Sequence, residues 1–171
     1  MLEGLDQIDW KGIGEPKVPE WLRGIAQGDA DALDKFRDHF FNLGQDIPEN
    51  YGPPSELLKN DAPILIVPFL IELLRCEACK RKTWIFNLLL DFDAVVDLTD
   101  ATALISNKMS RDDASLILQD LPEDDIYTTR ARQLFRAVYE GRELYKTFLH
   151  GYSPAIGFDS ALLLDTLGEL D

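Results

Sequence analysis

Apolar residues recur along this chain at steps of three and four, and no stretch shows a sustained two-residue alternation. The pattern therefore predicts helices throughout and an all-α fold. Val18, Trp21, Leu22 and Ile25 form a first short helical face, begun at Pro19 and ending near Gly28. Asp29 is a candidate cap for a second, in which Leu33, Phe36, Phe40 and Leu43 share a face up to Gly44. The short link Gln27-Gly28-Asp29 makes the two an antiparallel hairpin.

Residues 1–17 read as an irregular N-terminal arm, with Trp10 among charges and Gly12, Gly14 and Pro16 as breakers. The stretch 45–60 reads as loop, with at most one helical turn at Ser55–Leu58. It leads into the longest apolar segment, DAPILIVPFLIELLR at Asp61–Arg75. A continuous apolar run does not separate helix from buried strand, but the length and the tail FLIELLRCEACKRK favour helix. Pro68 then either starts the regular helix or kinks it.

Thr83–Leu90 follows as a helix, with Phe92 and Val95 as its extension. A further helix is expected at Ser110–Leu121. Pro122 and the acids behind it open a long helix whose face runs from Ala131 through Leu134, Phe135, Val138, Tyr145, Phe148 and Leu149 to Gly151. Arg136 and Glu140 are expected to form an i,i+4 pair outside that face. Ser153-Pro154 starts the last helix, kept apolar by Ile156, Leu163, Leu164, Leu167 and Leu170. At 171 residues the expectation is one domain, 1–171, large enough for its own core.

Charge sharpens this picture. The formal net charge is -14, which disfavours nucleic acid and anionic membranes as partners and favours a basic protein. Residues 61–90 carry 3 acidic and 4 basic side chains, whereas residues 91–125 carry 10 acidic against Lys108 and Arg111. The segment 91–125 is thus an acidic connection, and Asp112, Asp113, Asp120, Glu123, Asp124 and Asp125 are its candidate partner-binding residues. The apolar run Ala62–Ile71 is too short to span a bilayer and is broken by two prolines. The start, MLEGLDQIDW, has neither a basic nor an apolar leader region, and only two cysteines are present, so a reducing cytoplasm is expected.

Candidate chemistry is sparse. Cys76-x-x-Cys79 suggests zinc or redox, but His39 and His150 are the only other soft donors and stand at no ligand-like spacing. The pair also ends a helix, where thiolates gain nothing from the helix dipole. Asp91, Asp93, Asp97 and Asp100 suggest calcium, yet Val95, Val96 and Thr102 stand where that loop needs an oxygen ligand, a glycine and an acid. A solvated acidic loop is the plainer reading. Arg75, Lys80, Arg81 and Lys82 fit a helix end complemented by cations better than a phosphate site. Trp10, Trp21 and Trp84 fit core anchors. No nucleophile elbow, Ser-His-Asp set or phosphate loop is present, so the expectation is a non-enzymatic protein without cofactor or metal.

Three stretches together carry a family likeness: LDQIDW at Leu5–Trp10, VPEWLR at Val18–Arg23, and APILIVPFLIELL at Ala62–Leu74. With AVYEGRELYKTFLHGYSPAIGFDSALLLDTLGEL behind them, the chain resembles bacterial HEAT-repeat proteins. The resemblance implies a short right-handed α-solenoid of HEAT-like helical hairpins that recognises proteins, with an immunity-like or antitoxin-like role among those of the family. An enzyme-accessory or lyase-like use of Cys76 and Cys79 is the rival, and a structural oligomer formed through the C-terminal helix is a third reading. Ile156-Gly157 stands where the family carries Val-Arg, so no intra-repeat arginine ladder is expected. Longer proteins of that family continue past this point with a further repeat, so the last helix is expected to carry a polar outer face or to be covered by another chain.

Overall fold

In the computed structural model the described residues are 2–41, 58–97 and 126–170. All regular structure among them is helical. A 3-10 turn at Leu5–Gln7 precedes α1 (Trp10–Ile13), α2 (Val18–Gln27) and α3 (Ala30–Phe41). After these come α4 (Ala62–Arg75), α5 (Lys82–Asp97), α6 (Ile126–Tyr139), α7 (Arg142–Lys146) and α8 (Pro154–Thr166).

Local chemistry sets most of the helix ends. Asp29 Oδ1 accepts the Asp31 amide at 3.0 Å and so starts α3, while Ser153 Oγ accepts the Ile156 amide at 3.5 Å and starts α8. The C-terminus of α4 is closed from the next helix: Lys82 Nζ donates to the carbonyls of Leu74 and Cys76. A buried cation there satisfies two orphan acceptors and faces the negative end of the helix. Pro68 lies inside α4 on its exposed side. The missing amide is thus placed where water can reach the freed carbonyl.

Helices α2 and α3 pack as a hairpin, as do α4 and α5. Across these units α4 lies against α6, and α5 lies against both α6 and α8. The α3 to α5 contact is aromatic, with Phe36, Phe40 and Phe41 around Phe92 at ring separations of 6.3, 6.3 and 5.0 Å. The centre of the core is α4, whose Ile66, Val67, Leu70, Leu73 and Leu74 are buried together with Phe86, Leu88 and Leu89 of α5.

Three expectations change. The arm 1–17 is not irregular: its short turns bury Leu2, Leu5 and Trp10, and the Trp10 indole donates to Leu5 O at 2.7 Å while its ring faces Phe69. The first residues of the acidic connection are helical, because α5 takes the extension expected through Phe92, runs to Asp97, and buries Phe92 and Asp93. The single long helix expected to reach Gly151 is broken at Glu140-Gly141. Tyr145 Oη donates to Val138 O at 2.9 Å, and its ring occupies the space that a Cβ on residue 141 would need, so the chain turns over the tyrosine. Arg136 and Glu140 make no ion pair, although the Glu140 amide donates to Arg136 O.

Candidate functional site

Helix α8 has two apolar sides. Ser160, Leu163 and Leu164 are buried, with Leu167 just beyond the helix end, and Ser160 Oγ donates to Tyr145 O at 2.6 Å. That side faces α5 and α7. On the opposite side Phe158 is 67% exposed and Leu162, one turn later, 41% exposed. Tyr152, before the helix, is also 53% exposed, with its ring 4.6 Å from that of buried Phe148. Scattered exposed apolar residues are ordinary, but neighbours on one helix face form a patch of the kind that marks an interaction site.

The patch is held in place by close backbone packing. At Gly157 a Cβ would lie 3.3 Å from Leu149 O and 3.6 Å from Phe148 O, so the start of α8 sits directly on the preceding turn. The absence of a side chain at Gly157 permits this close approach. Two carboxylates border the patch. Asp165 is exposed seven residues after Phe158, on the same face, and Asp159 is half-buried with its carboxyl held above the usual carboxylate range by burial.

The far end of α8 is tied down by charge. Glu169 accepts Lys146 Nζ at 2.7 Å and Tyr139 Oη at 2.5 Å, and these donors, the lysine first, hold its carboxyl below the usual range. Arg142 lies over the Tyr139 ring at 4.4 Å. The patch therefore stands on a helix fixed at both ends.

The sequence-predicted partner residues Asp112, Asp113, Asp120, Glu123, Asp124 and Asp125 lie outside the described residues. Of the aspartates read as a calcium candidate, Asp91 accepts Arg37 Nη2 at 2.8 Å and Asp93 is buried in α5, so these two are neither loop residues nor solvated together. Burial raises the Asp91 carboxyl despite the arginine, which opposes the shift. Cys76 caps α4, and Cys79 is 2% exposed. Among the described residues no three His, Cys, Asp or Glu side chains are grouped to hold a metal ion. Within the cationic cluster, Lys82 is consumed by the α4 carbonyls and Arg81 lies over Trp84 at 5.1 Å. Trp10 is a core anchor, whereas Trp21 and Trp84 are half-buried at its edge.

No family model, curated protein or solved structure matches this chain.

Two features were not read from the sequence. The first is a buried carboxylate, Glu15, which is 4% exposed, accepts Asn60 Nδ2 at 3.0 Å and lies 2.6 Å from His39 Nε2. It joins the arm, α3 and the entry to α4, and it brings together residues too far apart in sequence to suggest one another. Its contacts with His39 and Asn60 tie three parts of the chain together. The second is the outward pair Phe158 and Leu162. Helical spacing held that signal, because both fall opposite Leu163, Leu164 and Leu167 on a helix wheel. Among the described residues no helix is long and apolar enough to cross a membrane.

Proposed function

We propose that this chain is a non-enzymatic recognition scaffold of the cytoplasm, a short α-solenoid of HEAT-like hairpins, that binds a protein through the outer face of α8. The occupant is a protein surface with an apolar centre rimmed by lysine or arginine. The observation that carries this reading is the exposed Phe158 and Leu162 on a helix whose other side is already buried. Fully burying a side chain of this size is worth about 1.5–3 kcal/mol, so an uncovered face of this kind is a ready source of binding energy. Asp159, Asp165 and the net charge of -14 select for positive charge around it. The residues Asp112, Asp113, Asp120, Glu123, Asp124 and Asp125 add long-range steering in the same sense. The solenoid reading draws support from the side-by-side packing of α4 with α6 and of α5 with α8, which is how successive hairpins stack. Neutralisation of a basic toxin, as an immunity-like protein would perform, fits the same chemistry.

The test starts from a protein captured from the native host by the wild-type chain, then purified and titrated separately. Loss of binding in Phe158→Asp, with a salt dependence that flattens when Asp112, Asp113, Asp124 and Asp125 are replaced by lysine, supports the reading. Binding unaffected by both changes refutes it. Concentration-dependent dimerisation of the wild type that Phe158→Asp abolishes, with no heterologous partner, would assign the face to a second copy instead.

A further inference from the structure

We propose that Cys76 and Cys79 form a reversible thiol–disulfide couple that is oxidised by an anionic low-molecular-weight disulfide of the glutathione class. The backbone is already arranged for closure. The Cys79 amide donates to Cys76 O at 3.2 Å, which closes a four-residue turn. Such turns bring their end Cα atoms within about 7 Å, and disulfides span Cα separations of roughly 4.4–6.8 Å. The same Cys76 carbonyl accepts Lys82 Nζ at 2.8 Å, and the Cys76 amide donates to Glu72 O and Leu73 O. The turn is thus pinned on both sides, and its closure needs no refolding of α4 or α5.

Exposure divides the roles. Cys76 is half-buried at the surface and can be reached by a small molecule, whereas Cys79 is shielded. Charge supplies selectivity. Within residues 75–82, Arg75, Lys80 and Arg81 are exposed and Glu77 is the one acid, on a chain that is otherwise strongly acidic. An anionic oxidant is drawn to this turn and repelled elsewhere.

The reaction balances without any further reagent. The Cys76 sulfur, as thiolate, attacks one sulfur of the small disulfide, forming a mixed disulfide and releasing one small thiolate. The Cys79 sulfur then attacks the Cys76 sulfur and expels the second. Two protein thiols are oxidised by two electrons, the small disulfide is reduced to two thiols, and the two protons pass through solvent to the leaving thiolates. Excess small thiol reverses both steps.

The reduced protein is incubated with glutathione disulfide and its intact mass is followed. Expected is the loss of two hydrogens in the monomer, reversed by glutathione, with Cys79→Ser instead retaining one glutathione on Cys76 and Cys76→Ser remaining unmodified. Because Cys79 is buried, Cys79→Ala serves as the second variant if serine impairs folding, and the wild-type mass reads the proposal in either case. Lys80→Glu should slow the first step by a factor of about three at low salt. A wild type that stops at the mixed disulfide, links two chains, or does not react overturns the couple. An oxidation rate indifferent to Lys80→Glu overturns the anionic oxidant.

Discussion

Helices α4 and α8 are alike in sequence and opposite in situation. Both are apolar on more than one side. In α4 nine of 14 residues are buried, because the arm, α5 and α6 surround it. In α8 three of 13 are buried, and Phe158 and Leu162 face outward. The lesson is that hydrophobicity on all sides says a helix can be covered all round, while its neighbours decide whether it is.

The contrast is broken most severely by truncation on the two helices. Leu70→Ala in α4 should lower unfolding free energy by about 3 kcal/mol through the cavity it leaves. Leu162→Ala and Phe158→Ala should each change it by less than about 0.5 kcal/mol. Denaturant unfolding of the three variants makes the comparison, and a large loss from Phe158→Ala would mean that the outer face is part of the core.

The ends of the two helices sharpen it further. Lys82→Met removes the donor to the last carbonyls of α4 and should cost about 2 kcal/mol in the same assay. Tyr145→Phe removes one donor from Val138 O beneath α8, where the Gly141 amide still donates, and should cost about 1 kcal/mol.

A smaller loss than at Lys82 or Tyr145 lies at Glu169. Its carboxyl titrates lower in the folded chain than in the unfolded one, so its stabilisation is complete above the ordinary glutamate range and is lost as pH falls through the lowered folded value. Glu169→Gln should therefore cost about 0.5 kcal/mol near neutrality. The difference from wild type should vanish in acid, as thermal unfolding across pH would record.

Much of this architecture was legible in the residues. Asp29 and Ser153 announce helix starts because a side-chain oxygen before an apolar periodic run has one local use. The α2 to α3 hairpin follows from a link too short to go elsewhere. The break at Gly141 was hidden because Tyr145 and Phe148 return to the same face after the turn, leaving the periodicity apparently intact. Asp91 and Asp93 looked solvated from composition, whereas Phe92 between them continues the buried stripe and carries both into the helix. Glu15, His39 and Asn60 meet only through tertiary packing. The outer face of α8 was legible in part: its spacing places Phe158 and Leu162 opposite the buried leucines, but only the packed neighbours reveal which side is covered.

Recognition through that exposed face is decided by the affinity of the purified host partner for wild type and for Phe158→Asp, taken beside the unfolding midpoint of each. Expected is at least about a tenfold loss of affinity, equivalent to roughly 1.4 kcal/mol, with the midpoint unchanged. Equal affinities at equal stability would contradict it.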